Sequence, residues 1–291
     1  MKSIKTLIKD VYDVVSNEEW FDELQSERYC GELGRAIHQG LRPRDVVPAL
    51  RLSAMGEKCP RSLWASVRAP SLQTPFRPQT RIIFHYGHVI EQLAIALAKA
   101  AGHTVTGEQD ECELDGIKGH RDCVIDGCIV DVKSVASRGM ETFKAGKVEE
   151  DIFLRSYLDQ LDGYSVASLD DPLVTNKEFA YIWAIDKQLG HMYLHEHRVR
   201  PDSIRKRVTE YKAIVASESP PRCTCQTVQE RITGNIKLDT KASYNPYKHF
   251  CFPNLRTFIV KGKPIDYVTI FKKPDGIEVF KSWLILKSVI R

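Results

Sequence analysis

The segment Gly119-His120-Arg121-Asp122-Cys123-Val124-Ile125-Asp126-Gly127-Cys128-Ile129-Val130-Asp131-Val132-Lys133-Ser134 joins two β-rich runs through Asp126-Gly127. That dipeptide between such runs specifies a two-residue hairpin turn. Counting back from the turn pairs Ile125 with Cys128, Val124 with Ile129, Cys123 with Val130, and Asp122 with Asp131. Side chains alternate along a strand, so Cys123, Ile125, Cys128, Val130 and Val132 line one face, and Asp131 and Lys133 share the other. A slip of one residue would bury the charges, so the apolar face holds the register. Two opposed aspartates repel unless a cation lies between them or one keeps its proton. The hairpin therefore has the character of an active site.

Around it the chain punctuates itself with prolines and glycines. Residues 1 to about 70 read as mainly helical, with apolar spacing at Ile4, Leu7, Ile8 and Val11. Ala69-Pro70-Ser71 through Pro78 reads as a linker, and a helix follows from about Arg81 to Ala101, stopped by Gly102. Short strands fill 103–134, a helix spans roughly 150–168, and strands lie near 179–185 and 190–197. A charged helix near 201–216 ends before Ser217-Glu218-Ser219-Pro220-Pro221. Beyond it lie a cysteine-bearing segment and a small strand-rich tail with a turn at Pro274-Asp275-Gly276.

Glu91 sits on the predicted helix with the buried stripe Ile90, Leu93, Ala94 and Leu97, and Gln160 and Tyr164 share a face of the later helix at a spacing of four. The ordered set is helical Glu91, then Gly119-x-x-Asp122, then Asp131-Val132-Lys133, then Gln160-x-x-x-Tyr164. It resembles the PD-(D/E)XK nuclease superfamily, and within it the RecB-type exonucleases, which include the CRISPR-associated exonuclease and phage exonucleases. The resemblance covers about residues 80–200, and Leu52 to Trp64 is similar to the segment ahead of the core in phage members.

The resemblance implies an α/β fold: a PD-(D/E)XK core with a central mixed β-sheet flanked by helices, and a helical N-terminal extension. The expected organisation is 1–75 as that extension, 76–217 as the nuclease core, and 218–291 as a cysteine-bearing C-terminal segment packing on it. It also implies hydrolysis of DNA phosphodiester bonds with Mg²⁺ or Mn²⁺. Glu91, Asp122, Asp131 and the Val132 carbonyl would be ligands, Lys133 would act on the attacking water or the developing charge, and Gln160 and Tyr164 would position the strand or the lysine. Hard cations on carboxylates suit that chemistry independently of any resemblance. Recombination, repair or phage DNA metabolism is the implied setting, with a recombinase, helicase or single-strand-binding protein as partner. An endonuclease of the same fold, and a nucleic-acid-binding subunit without its own activity, remain open. His88 and His120 lie close to these motifs in sequence and are candidates for phosphate contact.

Eight cysteines stand in a chain whose first ten residues lack the long uncharged run of a signal peptide, so the reading is a cytoplasmic protein with reduced thiols. Cys123 and Cys128 fall on the apolar hairpin face. RecB-type exonucleases with an iron–sulfur cluster carry one early cysteine and three late ones, the layout of Cys59, Cys223, Cys225 and Cys251. Ala242 and Asn245 stand where that tail would carry cysteines, and the reading leans to a [4Fe–4S] site lost rather than kept. Zinc on Cys223, Cys225, His249 and Cys251 is a further alternative. A net charge of +4 confines any nucleic-acid contact to a local groove, no apolar run approaches membrane-spanning length, and no phosphate-binding loop for ATP hydrolysis occurs.

Overall fold

The computed structural model describes residues 2–17, 20–41, 48–56 and 58–279. Glu57 and the end of the expected C-terminal segment, 280–291, lie outside the described residues. In chain order the helices and strands begin with α1 (Leu7–Val15), α2 (Glu23–Leu41), α3 (Pro60–Arg68) and α4 (Pro78–Ala100). Then come β1 (Val105–Thr106), β2 (Glu111–Leu114), β3 (Ile117–His120), β4 (Cys123–Ile125) and β5 (Cys128–Val135). The helices α5 (Ser137–Lys144) and α6 (Arg155–Ala167) precede β6 (Phe179–Asp186), β7 (Met192–Arg198) and α7 (Pro201–Ala216). The rest is β8 (Thr227–Gln229), β9 (Ile236–Leu238), α8 (Thr240–Ser243), α9 (Lys248–Cys251), β10 (Arg256–Val260), β11 (Lys263–Thr269) and β12 (Ile277–Val279).

Two compact units emerge: Met1–Gly56 with Arg77–Val208, and Glu57–Phe76 with Thr209–Arg291. The first is a mixed α/β unit. Its five-stranded sheet runs β1-β4-β5-β6-β7, with β5 and β6 parallel and the other pairs antiparallel. The hairpin register is the expected one, Cys123 with Val130, Val124 with Ile129 and Ile125 with Cys128. Asp126 and Gly127 both take positive φ, 50° and 78°, the pair of angles that matches a turn to the strands' twist. Asp126 tolerates this because its carboxylate is engaged: it accepts from the Thr104 N–H at 3.1 Å and lies 2.6 Å from His103 Nδ1. The turn is thus pinned from outside the hairpin.

The apolar hairpin face makes the core. Cys123, Ile125, Cys128, Val130 and Val132 pack with Tyr181, Trp183 and Ile185 of β6 against Leu7 and Val11 of α1 and Ala94, Ile95, Leu97 and Ala98 of α4. Leu7 and Val11 are four apart, as are Ala94 and Ala98, the spacing that turns one helix stripe to a sheet. The α4 helix opens with Pro78 at its first position and closes just before Gly102, whose φ is 78°. On the other side α6 meets β5 and β6, and α5 meets β6 and β7. Helices therefore flank a central mixed sheet.

Buried ion pairs hold α6 in place. Asp162 accepts from Arg200 Nε at 2.9 Å and lies 2.7 Å from His197 Nε2, and Asp159 pairs with Arg207. Two carboxylates in a helix interior need such partners, since an unpaired buried charge costs several kcal/mol, about 3–5 when a pair is broken. With Asp159 and Asp162 turned to these cations, the remaining face of α6 is free to meet the sheet. Gly119 brings its ribbon close to the same helix: a Cβ there would lie 2.8 Å from the Tyr164 ring and 2.7 Å from Leu52.

The second unit has its own antiparallel sheet, ordered β12-β10-β11-β9-β8. Asn235 is fully buried and holds the turn near Phe271 and Lys272 through three hydrogen bonds of 2.8–2.9 Å. Buried Asp266 accepts from Lys248 at 2.7 Å and Thr257 at 2.6 Å. Trp64 of α3 stacks on Phe250 of α9 with ring centroids 6.3 Å apart. No helix among the described residues is long and apolar enough to cross a membrane.

Candidate functional site

Glu91, Asp122, Asp131, Lys133, Gln160 and Tyr164 all fall in the first unit, on α4, β5, α6 and the link between β3 and β4. Asp131 and Lys133 project from β5 on one face, because they are two apart on a strand. Asp131 is fully buried. Lys133 Nζ donates to its Oδ1 at 2.8 Å and stands 2.7 Å from Oδ2, but only the Oδ1 contact has hydrogen-bond geometry. Oδ2 is left as a buried oxygen lacking a hydrogen bond. Gln160 on α6 reaches Oδ1 at a long 3.5 Å and donates to the Tyr164 hydroxyl at 2.9 Å. The i,i+4 spacing of Gln160 and Tyr164 thus becomes a direct contact beside the aspartate.

Asp122 departs from the expected cross-strand pairing. The ladder ends at Cys123 and Val130, and β3 belongs to a separate ribbon with β2. Between them the chain changes sheets through Arg121, which is buried and pairs with Asp110 at 3.0 Å and Asp171 at 2.6 Å. Asp122 is therefore just beyond the strand, and its Oδ2 accepts from the Val132 N–H at 2.8 Å. That charge-assisted link ties the carboxylate to the amide after Asp131, and the two aspartates still act on each other as like charges. His120 ends β3 opposite Glu111 on that separate ribbon, and His88 lies on α4 one turn before Glu91.

Glu91 enters from α4 and accepts from Gln109 Nε2 at 2.6 Å. It interacts electrostatically with Asp122, Asp131 and Lys133, so the three acids and the lysine share one field. Among the described residues, however, the carboxylates do not form a group with ligand oxygens all within 4.8 Å of one another. Burial, then repulsion from Asp122, pushes the Glu91 carboxyl up to about 8. Burial also raises Asp131, to about 7, against the opposing pull of Lys133. Burial alone would lower the Lys133 ammonium, but Asp131 and Asp122 outweigh it and hold the pKa above the ordinary lysine value. Tyr164 is raised by burial and by Asp131. A pocket with more acids than cations retains protons, and a divalent ion would displace them.

Two members of this set were not among the expected residues. Tyr157 places its ring 5.3 Å from Lys133 Nζ, a cation–π contact that covers the ammonium. Its position three residues before Gln160, on the same helix face, is a signal the sequence does contain. Gln109 has none, because it sits in a turn at φ 57° and meets Glu91 across eighteen residues.

In the second unit Cys59, Cys223, Cys225 and Cys251 converge, their sulfurs all within 4.8 Å of one another. This geometry is compatible with a thiolate-bound metal centre. Cys123 and Cys128 lie in the hydrophobic core as expected.

No protein-family model matches the chain, and no curated protein matches it. Solved structures similar to it include an alkaline exonuclease from Laribacter hongkongensis, at 17% identity and a TM-score of 0.36, covering 54% of this chain and 84% of the exonuclease. A second is the protein SSO0001, at 14% identity and a TM-score of 0.38, covering 69% of this chain and 91% of that one.

Proposed function

We propose that this chain is a metal-dependent deoxyribonuclease of the PD-(D/E)XK type, acting as an exonuclease in recombination, repair or phage DNA metabolism. The observation that carries this reading is the buried Asp131–Lys133 pair on β5, set in one field with Asp122 and Glu91. The fully buried Asp131 carboxylate, whose Oδ2 has only the Lys133 ammonium beside it, and the proton-retaining Glu91 both fit a pocket that attracts positive charge.

Glu91, Asp122, Asp131 and the Val132 carbonyl are the groups that would hold Mg²⁺ or Mn²⁺. When bound, such an ion supplies a charge sink for the phosphoryl oxygens and lowers the pKa of a coordinated water. Lys133, whose pKa the neighbouring carboxylates raise in the ion-free protein, would act on the attacking water or stabilise the developing charge. Its ammonium, braced by Asp131 and the Tyr157 ring, would face the attacking water and the developing negative charge on the phosphate. Gln160, held by Tyr164, steadies the Asp131 carboxylate and offers an amide to the strand.

End-labelled single- and double-stranded DNA, linear and circular, incubated with Mg²⁺, Mn²⁺ or chelator, tests the proposal. Ion-dependent release of labelled nucleotides from linear DNA alone is expected. Cutting of circles would make it an endonuclease, and binding without cleavage would make it a nucleic-acid-binding subunit.

A further inference from the structure

The four-cysteine group in the second unit has a spacing that discriminates between kinds of metal centre. Cys59 Sγ lies 3.6 Å from Cys223 Sγ and 4.0 Å from Cys251 Sγ, and all four sulfurs fall within 4.8 Å of one another. Thiolates about 2.3 Å from one tetrahedral ion stand about 3.8 Å apart along the tetrahedron's edges. In a cubane cluster each thiolate binds a different iron, and the inorganic cage between them spreads the cysteines farther apart. The observed sulfurs match the first arrangement. We propose that Cys59, Cys223, Cys225 and Cys251 bind a single tetrahedral, thiophilic divalent cation of the zinc class, rather than a [4Fe–4S] cluster. The proposal stands apart from the hydrolytic reading, because every residue in it belongs to the second unit.

The surroundings are built for thiolate charge. The Thr224 N–H donates to Cys59 Sγ at 3.4 Å and the Cys225 N–H to Cys223 Sγ at 3.4 Å. Asn245 Nδ2 donates to Cys225 Sγ at 3.2 Å and reaches Cys251 Sγ at 3.7 Å. The amide's orientation follows from its other end: Oδ1 accepts from Ser62 Oγ at 2.7 Å and from the Tyr247 N–H at 2.8 Å. The nitrogen is therefore the atom turned toward sulfur. Four thiolates around one divalent cation leave two negative charges in excess, and these N–H groups spread that charge without supplying a competing ligand. Asn245, at a place where a further cysteine would be a ligand, acts instead as a positioning residue for two of the four.

The ligand set also explains what such an ion does. Cys59 immediately precedes α3, while Cys251 ends α9 and lies 192 residues downstream. Binding joins the two stretches of chain that make up this unit, and binding free energy of this kind adds to folding free energy. His249 is not among the converging ligands; Cys59 takes the fourth position.

The test uses the full chain, purified without oxygen from cells supplied with both iron and zinc. Metal content, acid-labile sulfide and titratable thiols are measured, and Co²⁺ is then exchanged into the site. About one zinc per chain, no sulfide, and the intense visible bands of tetrahedral thiolate-bound cobalt are expected. Asn245→Ala should keep the ion but weaken it about 10- to 100-fold in chelator competition, and should shift the sulfur-to-cobalt charge-transfer band. Cys59→Ser should lose the ion; if that variant does not fold, the metal content of the unaltered chain still decides. A brown protein with about four irons and matching sulfide per chain would overturn the proposal. So would a colourless, metal-free protein in which Cys59, Cys223, Cys225 and Cys251 titrate without denaturant.

Discussion

The acidic group of the first unit and the thiol group of the second, each proposed to hold a cation, have opposite geometry. The carboxylates of Glu91, Asp122 and Asp131 do not all close on one point; each has its own partner in Gln109, the Val132 N–H and Lys133, while Asp122 and Asp131 still act on each other as like charges. The four thiols touch. Charge accounts for the difference. Carboxylates brought together without a cation repel, so they separate, take protons or take a lysine. Thiols carry no such charge until an ion displaces their protons, so four of them can be held at the spacing of one small ion's ligands. The proposed thiol site therefore rests on converging ligands, whereas the proposed carboxylate site rests on acids whose pKa values are raised by burial and by one another.

That contrast can be broken most severely at β5. Asp131→Asn or Lys133→Ala should reduce DNA cleavage by about a thousandfold or more while circular dichroism stays unchanged. Full activity in either purified variant would remove the first unit's site altogether. Next in size, Cys251→Ser should lower the melting temperature by roughly 10 °C and leave the chelator with nothing further to remove. A variant as stable as the parent would show that the thiols only happen to meet.

A smaller effect separates the two groups by pH. Glu91 and Asp131 have folded pKa values raised to about 8 and about 7. Their protonated forms favour the ion-free fold. That contribution is fully present below ordinary carboxylate pKa values and is lost as pH rises through 7 to 8. The gain in melting temperature from Mn²⁺ should accordingly be larger at pH 8.5 than at pH 6, because fewer protons must be displaced. A gain independent of pH would contradict the assignment of these acids as ligands. Smallest of all, Gln109→Ala should free Glu91 and change cleavage by no more than about threefold, since Gln109 meets the site through Glu91.

The hairpin was readable because its information is local. Asp126-Gly127 sets the turn, period-two alternation sets the faces, and both lie within sixteen residues. The helices α4 and α7 were readable for the same reason at their ends, through Gly102 and the Pro220-Pro221 pair, while the start of α4 at Pro78 falls in the stretch read as linker. The short helix α5 was not, since Gly139 lies inside it and only Met140 and Phe143 are buried. Asp122's bond to the Val132 N–H depends on the sheet change at Arg121, whose partners Asp110, Ser168 and Asp171 no local pattern links to it. Asn245 was legible only as a cysteine position lacking cysteine. Its role as a donor needs Ser62, more than 180 residues away in sequence, to hold the amide in one orientation.

Crystals soaked in Mn²⁺ and examined by anomalous diffraction test the central claim most directly. The account predicts a peak bound by Asp122 and Asp131, with Glu91 swung off Gln109 to join them. A pocket that stays empty at saturating Mn²⁺, with Lys133 still on Asp131 and Glu91 still on Gln109, would contradict it.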